Sequence, residues 1–225
     1  LSNSGTNTYA GYRAGSSLAN GCDHNTLYGS DAGRYIASNG GYHTAIGERA
    51  LETNSSGHSC VAVGQVALMQ NTGNQNVAVG NNAIYGSGSG NQNNAVGYMA
   101  LNVLTSGNYN VAMGFEAGKT ITSGGGNVFL GHKACNAGTT GTNNVAIGVE
   151  ALKSAQGGIH GNVAVGYRAL YSQNGDRYNT AVGYEAGMNI QGAHDIVAVG
   201  HKALKNLTSG AYNTAIGWQA LESLQ

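Results

Sequence analysis

A glycine recurs thirteen times along this chain, each time closing a short apolar run and each time followed three residues later by alanine. The glycines are Gly11, Gly29, Gly47, Gly64, Gly80, Gly97, Gly114, Gly131, Gly148, Gly166, Gly183, Gly200 and Gly217, and the alanines run from Ala14, Ala32 and Ala50 to Ala186, Ala203 and Ala220. The interval is 17 residues in most coils and never leaves the range 16 to 18. A unit this short cannot bury a core alone and must stack on its neighbours, so the period specifies a solenoid. The array spans residues 1–225 as one domain and leaves little room for a conventional enzyme. It starts partway through the pattern, as a segment of a longer polypeptide would.

A typical coil reads Asn-x-Ala-Val-Gly, then Tyr-x-Ala-Leu, then polar turn residues. Examples are Asn110-Val111-Ala112-Met113-Gly114 and Asn179-Thr180-Ala181-Val182-Gly183. The residue before the glycine is apolar in every coil, and β-branched Ile46, Val63, Val79, Val96 and Ile147 suit a pleated strand. Turns such as residues 71–76 and 105–110 are built from Gly, Asn, Ser and Thr, which supply left-handed backbone and local hydrogen bonds. Seventeen residues leave space for about two short strands and their corners, so the fold class expected is all-β, a parallel β-solenoid of about 13 coils.

Several columns imply that the coils stack in register. Ten coils place asparagine four residues before the glycine, among them Asn76, Asn93, Asn110, Asn127, Asn144, Asn162 and Asn179; stacked amides form a hydrogen-bonded ladder. His43, Cys60 and Ile196 interrupt it. Two residues after the glycine the charges alternate in sign, as Glu116, Lys133, Glu150, Arg168, Glu185 and Lys202, so neighbouring coils attract. Arg13, Asp31 and Arg49 begin the same column. Where the Leu after the repeat alanine is replaced by Gly15, Gly33, Gly118 or Gly187, an aliphatic residue follows three positions on (Leu18, Ile36, Ile121, Ile190), filling the same core space from another backbone point. The invariant glycine marks either a corner of positive φ or a close backbone approach.

The two residues before the glycine are usually both apolar, as in Ala45-Ile46, Ala78-Val79 and Ala146-Ile147. Adjacent strand residues face opposite ways, so one of them points outward although neither is polar, and strands apolar on both faces are normally covered on both. Alanine on the outer face would admit another backbone; alanine inside would instead report a tight interior. The uncovered apolar face predicts self-association along the array, whereas a tight interior explains the alanine without a partner.

The recurring Asn76-Val77-Ala78-Val79-Gly80 and Asn144-Val145-Ala146-Ile147-Gly148 resemble the head repeat of trimeric autotransporter adhesins, and the longer Asn-Thr-Ala-Val-Gly-Tyr-Glu-Ala at 179–186 is similar to repeats in bacteriophage tail-fibre proteins. The resemblance covers the whole chain. It implies a left-handed parallel β-roll in which three chains pack side by side. It also implies an extracellular place, on a virion surface or alternatively a bacterial cell surface. The function expected is a structural and host-attachment segment of a trimeric fibre whose partners are itself and a host-surface glycan or protein receptor. The alternative is an adhesin head. The coils here are longer than adhesin-head coils, so their corners have room to protrude.

Chemistry beyond this is sparse. The charged fraction is 9% and the formal net charge +0, which argues against nucleic acid as partner. Three cysteines, Cys22, Cys60 and Cys135, fit no disulfide framework and read as buried thiols. No apolar run reaches membrane-spanning length. No cofactor or metal is expected, since His58/Cys60 and Cys22/His24 are the only close ligand pairs and occupy unrelated repeat positions. No enzyme is expected either: a polysaccharide-degrading fibre needs paired carboxylates outside the charge column, and of the turn acids Asp23, Asp176 and Asp195 the first lies many coils from the other two. An ice-binding threonine array starts at Thr8, Thr26 and Thr44 but is broken by Val61 and Val77, and a self-assembling filament is a further alternative. The candidate ligand contacts are the aromatics that follow the glycine, Tyr98, Phe115, Tyr167, Tyr184 and Trp218, with Tyr12, His132 and His201 in the same column. They read either as a platform for sugar rings or as packing between coils or chains. The turns around 174–177 and His160 are the next place for a contact.

Overall fold

The computed structural model describes residues 6–37, 40–86, 88–155, 157–175, 177–207 and 209–223. The chain divides into two compact units, Leu1–Asn110 and Val111–Gln225. Both are parallel β-solenoids without helices among the described residues, with about 12 turns in all. The first unit contains β1 (Thr8–Ala10), β2 (Thr26–Tyr28), β3 (Tyr35–Ile36), β4 (Thr44–Ile46), β5 (Thr53–Asn54), β6 (Val61–Val63), β7 (Val77–Val79) and β8 (Asn94–Val96). The second contains β9 (Val111–Met113), β10 (Val128–Leu130), β11 (Val145–Ile147), β12 (Val163–Val165), β13 (Thr180–Val182), β14 (Val197–Val199) and β15 (Thr214–Ile216).

Successive repeat strands pair in parallel with no register slip. Ala45 lies beside Ala62, Ala78 and Ala95 in the first unit. Ala146 lies beside Ala164, Ala181, Ala198 and Ala215 in the second. Each coil contributes one three-residue strand rather than the two expected; the exception is the short β3–β5 pair. The rest of the coil is turn whose backbone still bonds to the next coil, as when the Leu152 N–H donates to the Ala169 carbonyl at 3.0 Å.

The reason lies in the backbone just past the glycine. The residue two on and the residue four on both take left-handed φ: Glu150 at 58° and Leu152 at 52°, Arg168 at 52° and Leu170 at 48°. Two such residues in five break any strand. Each costs about 1–2 kcal/mol for an L-residue, and inter-coil hydrogen bonds together with burial of the leucine offset it. The four glycines that replace this leucine fall on the same left-handed position, with Gly33 at 56° and Gly187 at 55°. The aliphatic residue three later does refill the core: Ile36, Ile121 and Ile190 are fully buried, and Ile36 Cδ1 would lie 3.2 Å from a Cβ added at Gly33.

The core question left open by the strand pattern has a definite answer. In ten of the repeat strands the central residue is an alanine that points inward and is buried, with Leu27 and Phe129 buried at the same place in β2 and β10, while the flanking residues point out. Alanine is small where a leucine after the repeat alanine shares the interior, and Leu27 and Phe129 stand in coils that carry Gly33 and Cys135 there instead; the outward apolar residues are mostly valines and isoleucines. Behind the strand, the interior is filled by the repeat alanine and the leucine after it.

A further core column stands seven residues after the glycine: Leu104, Ile121, Ala155, Ile190 and Leu207 are buried there. Gln173 occupies the same place, 2% exposed, and both its amide atoms lack a hydrogen-bond partner. Gln173→Leu is expected to stabilise the second unit by about 1–3 kcal/mol, because it removes an unsatisfied buried amide and adds an apolar side chain where neighbouring coils carry one. Chemical denaturation of the two proteins measures it, and a loss of stability would show that the amide is satisfied in solution.

Candidate functional site

Four surface or ladder systems carry the residues singled out by sequence. The asparagine ladder is internal. Asn93 donates its backbone N–H to Asn76 Oδ1 at 2.9 Å, and its Nδ2 to the same oxygen at 3.1 Å and to the Gly107 carbonyl at 2.9 Å. Asn110 repeats the contact to Asn93. In the second unit Asn144 donates to Asn127, Asn162 to Asn144 and Asn179 to Asn162. All seven are buried.

His43 does not interrupt this ladder. Its Nδ1 accepts the Cys60 N–H at 3.2 Å, and its Nε2 lies 3.2 Å from the Gly57 carbonyl. One acceptor and one donor on a neutral ring thus reproduce what an asparagine amide supplies. Burial pushes this imidazole down to about 4, its bond to the Gly57 carbonyl opposing that, and the nearby His58 adds to the lowering. Cys60 continues half of the pattern, with Sγ donating to the Gly73 carbonyl at 3.3 Å. Ile196 is a true break: its N–H donates to Asn179 Oδ1, but it offers no side-chain acceptor to the next coil. A second, half-buried asparagine ladder, Asn74–Asn91–Asn108, was hidden among turn residues.

The charge column is only partly vertical. Glu116 meets Lys133 at 3.8 Å and Glu150 meets Arg168 at 2.7 Å. Glu185 instead takes Lys205 at 2.8 Å rather than Lys202, and Arg49 takes Glu52 of its own turn rather than Asp31. The left-handed turn brings the residue three further on within reach, so Lys119 and Lys153 also close on Glu116 and Glu150. Hydrogen bonds from Lys119, Lys153 and Lys205 hold Glu116, Glu150 and Glu185 below the usual carboxylate range, against a smaller opposing effect of burial.

The aromatic column stacks on itself. Tyr184 lies between Tyr167 at 5.1 Å and His201 at 5.2 Å, nearly parallel to both; His201 continues to Trp218 at 6.4 Å, and Phe115 stacks on His132 at 5.3 Å. Such rings face one another and turn their edges to solvent, so a sugar has no open ring face to lie on between them. Tyr98 is half-exposed in the first unit, where the same column continues as a hydrogen-bonded run, Glu48–Gln65–Asn81. Either chemistry satisfies a column of like residues one coil apart.

The outward strand face is the fourth system. Ile46, Met113, Ile147, Val182 and Ile216 are exposed, Met113 by 53%, and Val63, Val96, Leu130, Val165 and Val199 are half-buried. The residues two before them, Val77, Val111, Val145 and Val163, share that face, as do Thr8, Thr26 and Thr44.

The three thiols are buried and unpaired with one another; burial pushes Cys60 up to about 11 and Cys135 to about 12, which leaves both unreactive at neutral pH. Among the described residues no group of three or more His, Cys, Asp and Glu could hold a metal, and no helix is long and apolar enough to cross a membrane. Asp176, in the turn at 174–177, lies outside the described residues. No protein-family model, no curated protein and no solved structure matches the chain.

Proposed function

We propose that this chain is a structural, host-attachment segment of a trimeric fibre, of the bacteriophage tail-fibre kind and displayed on a virion surface. The observation that carries the reading is the outward strand face. From β4 onward every coil places one or two aliphatic side chains there, while β1 and β2 present Thr8, Ala10, Thr26 and Tyr28. Parallel strands are ordinarily covered on both faces, and an apolar stripe of this length on a lone chain would invite association. A second and third copy supply the cover. The number three comes from the resemblance to adhesin heads and tail fibres. The polar corners then remain outside, and three copies multiply weak contacts into avidity.

Light scattering of the purified segment is expected to give three chains per particle. Replacing Val165 and Val182 by lysine on the outward face should dissociate it while each coil still folds, read by circular dichroism. A wild-type protein that stays monomeric across micromolar concentrations overturns the reading.

A further inference from the structure

We infer that the second unit carries a glycan-binding corner made by Tyr178, Asp195 and Tyr212, distinct from the stacked aromatic column. The inference rests on the attachment reading and gives it a ligand class and a place.

These three residues occupy one column, five before the repeat glycine, and all take left-handed φ, 58°, 57° and 62°. Backbone hydrogen bonds fix their register: the N–H groups of Tyr178, Asp195 and Tyr212 donate to the carbonyls of His160, Arg177 and His194 in the preceding coil, at 3.0, 3.3 and 3.2 Å. Successive members therefore stand one coil rise apart, ~4.8 Å, and the two tyrosines about 10 Å apart. The other coils of the second unit fill this left-handed position with Gly126, Asn143 and Gly161, which adopt it at lower cost, while in the first unit Tyr42 and Tyr109 also stand there. A tyrosine here buries little in return, being 58% exposed at 178 and 78% at 212.

The ring geometry is opposite to that of the stacked column. Tyr178 lies over Gly161, where an added Cβ would come 2.8 Å from its Cδ1, so one face rests on backbone. No described ring stacks on its other face. Tyr212 meets His194 at 88°, edge to face rather than sandwiched. Between the tyrosines the half-exposed Asp195 carboxylate sits 2.8 Å from His194 Nδ1, and Arg177 is exposed beside it.

This is the chemistry a sugar chain requires. Aromatic faces accept the apolar C–H faces of pyranose rings. A carboxylate and a guanidinium accept and donate paired hydrogen bonds to neighbouring hydroxyls. An extended glycan running along the column would present rings to both tyrosines and hydroxyls to Asp195 between them. A protein partner fits less well, because a charged carboxylate at the centre of the patch is what protein interfaces avoid.

The test is binding of the purified segment to an immobilised panel of short neutral and uronic-acid-containing oligosaccharides. At least one should be retained. The Tyr178→Ala/Tyr212→Ala double variant and, separately, Asp195→Asn should each weaken that binding about tenfold or more, the loss of about 1.4 kcal/mol, with unchanged melting. Tyr184→Ala should lower the melting temperature and leave binding intact. Failure to retain any oligosaccharide, or a double variant that binds like wild type, overturns the inference. So does attachment to host surfaces that survives periodate oxidation of their sugars, which would indicate a protein receptor. A monomer that binds glycan through Tyr178 would sink the trimer alone, and a trimer that binds none would sink only this corner.

Discussion

Lowering the pH from 7 towards 4 is expected to cost the first unit about 3 kcal/mol through His43 alone, and His43→Asn is expected to remove most of that loss. The ring is 1% exposed and held neutral, with Nδ1 accepting from Cys60 and Nε2 donating to Gly57. Protonation would place a second N–H against the Cys60 N–H and a charge in a dry interior. The folded imidazole therefore resists the proton until about pH 4, whereas the unfolded one takes it up near 6.5. A base whose folded pKa is depressed contributes stability that is complete above the unfolded value and is lost as pH falls towards the folded one. The window is thus 6.5 to about 4. The paired carboxylates Glu116, Glu150 and Glu185 are also depressed, but they lose their contribution only below 4.5, so the upper part of the window isolates the histidine. Asparagine supplies the same donor and acceptor without titrating. His43→Ala should instead cost about 1–3 kcal/mol even at pH 7, by leaving the Cys60 N–H and the Gly57 carbonyl unpartnered. Urea unfolding at pH 7, 5.5 and 4.5 compares the three proteins; a His43→Asn variant as acid-sensitive as wild type would show that the ring is not a neutral rung.

That rung illustrates what the sequence conceals. The period, the invariant glycine and the asparagine ladder were legible because each repeats one residue type at one interval. His43 looked like a break because the ladder was defined by residue name; the underlying requirement is one acceptor and one donor at fixed reach, which a neutral imidazole also meets. The inside of the strand was ambiguous because Ala and Val are both apolar, and period-two alternation cannot rank them. What decides is how much of the interior the rest of the coil fills, so Leu27 and Phe129 replace alanine where Gly33 and Cys135 replace leucine. The left-handed turns did leave a signal, the four glycines at the leucine position, but it reads equally well as missing core volume until φ is known. The charge column pairs vertically at Arg13–Asp31, Glu116–Lys133 and Glu150–Arg168 as expected, but vertical alternation ignores the turn, which folds Lys119, Lys153 and Glu52 back onto their own coils. For the contact surface, a column of aromatics suggested a platform, yet stacking defeats it: Phe115 with His132, and Tyr167, Tyr184, His201 and Trp218 in succession, turn their faces to one another, while Tyr178 is not stacked on another described ring.

The largest single-site loss is expected at the repeat glycine, where Gly148→Ala should destabilise the second unit by at least about 3 kcal/mol. Two effects coincide there. The backbone sits at φ +133°, a region L-residues rarely adopt, and an added Cβ would lie 2.6 Å from the Gly166 carbonyl oxygen and 2.7 Å from its carbon. That oxygen is backbone of the next coil and cannot swing away without opening the parallel ladder between β11 and β12. Gly131 and Gly183 meet the same obstacle, at 2.4 Å each. A control separates conformation from crowding. Gly192 takes φ +64° with nothing within 4 Å of its missing Cβ, so Gly192→Ala should cost only the left-handed penalty of about 1–2 kcal/mol, and Gly192→Asn less. Thermal and urea unfolding of the three variants decide the matter. Equal losses at Gly148 and Gly192 would mean that φ alone selects glycine. The expected gap of 2 kcal/mol or so would mean that each coil is held one strand spacing from the next by the absence of a single methyl group, which is why this position tolerates no other residue while the histidine, charge and aromatic columns vary around it.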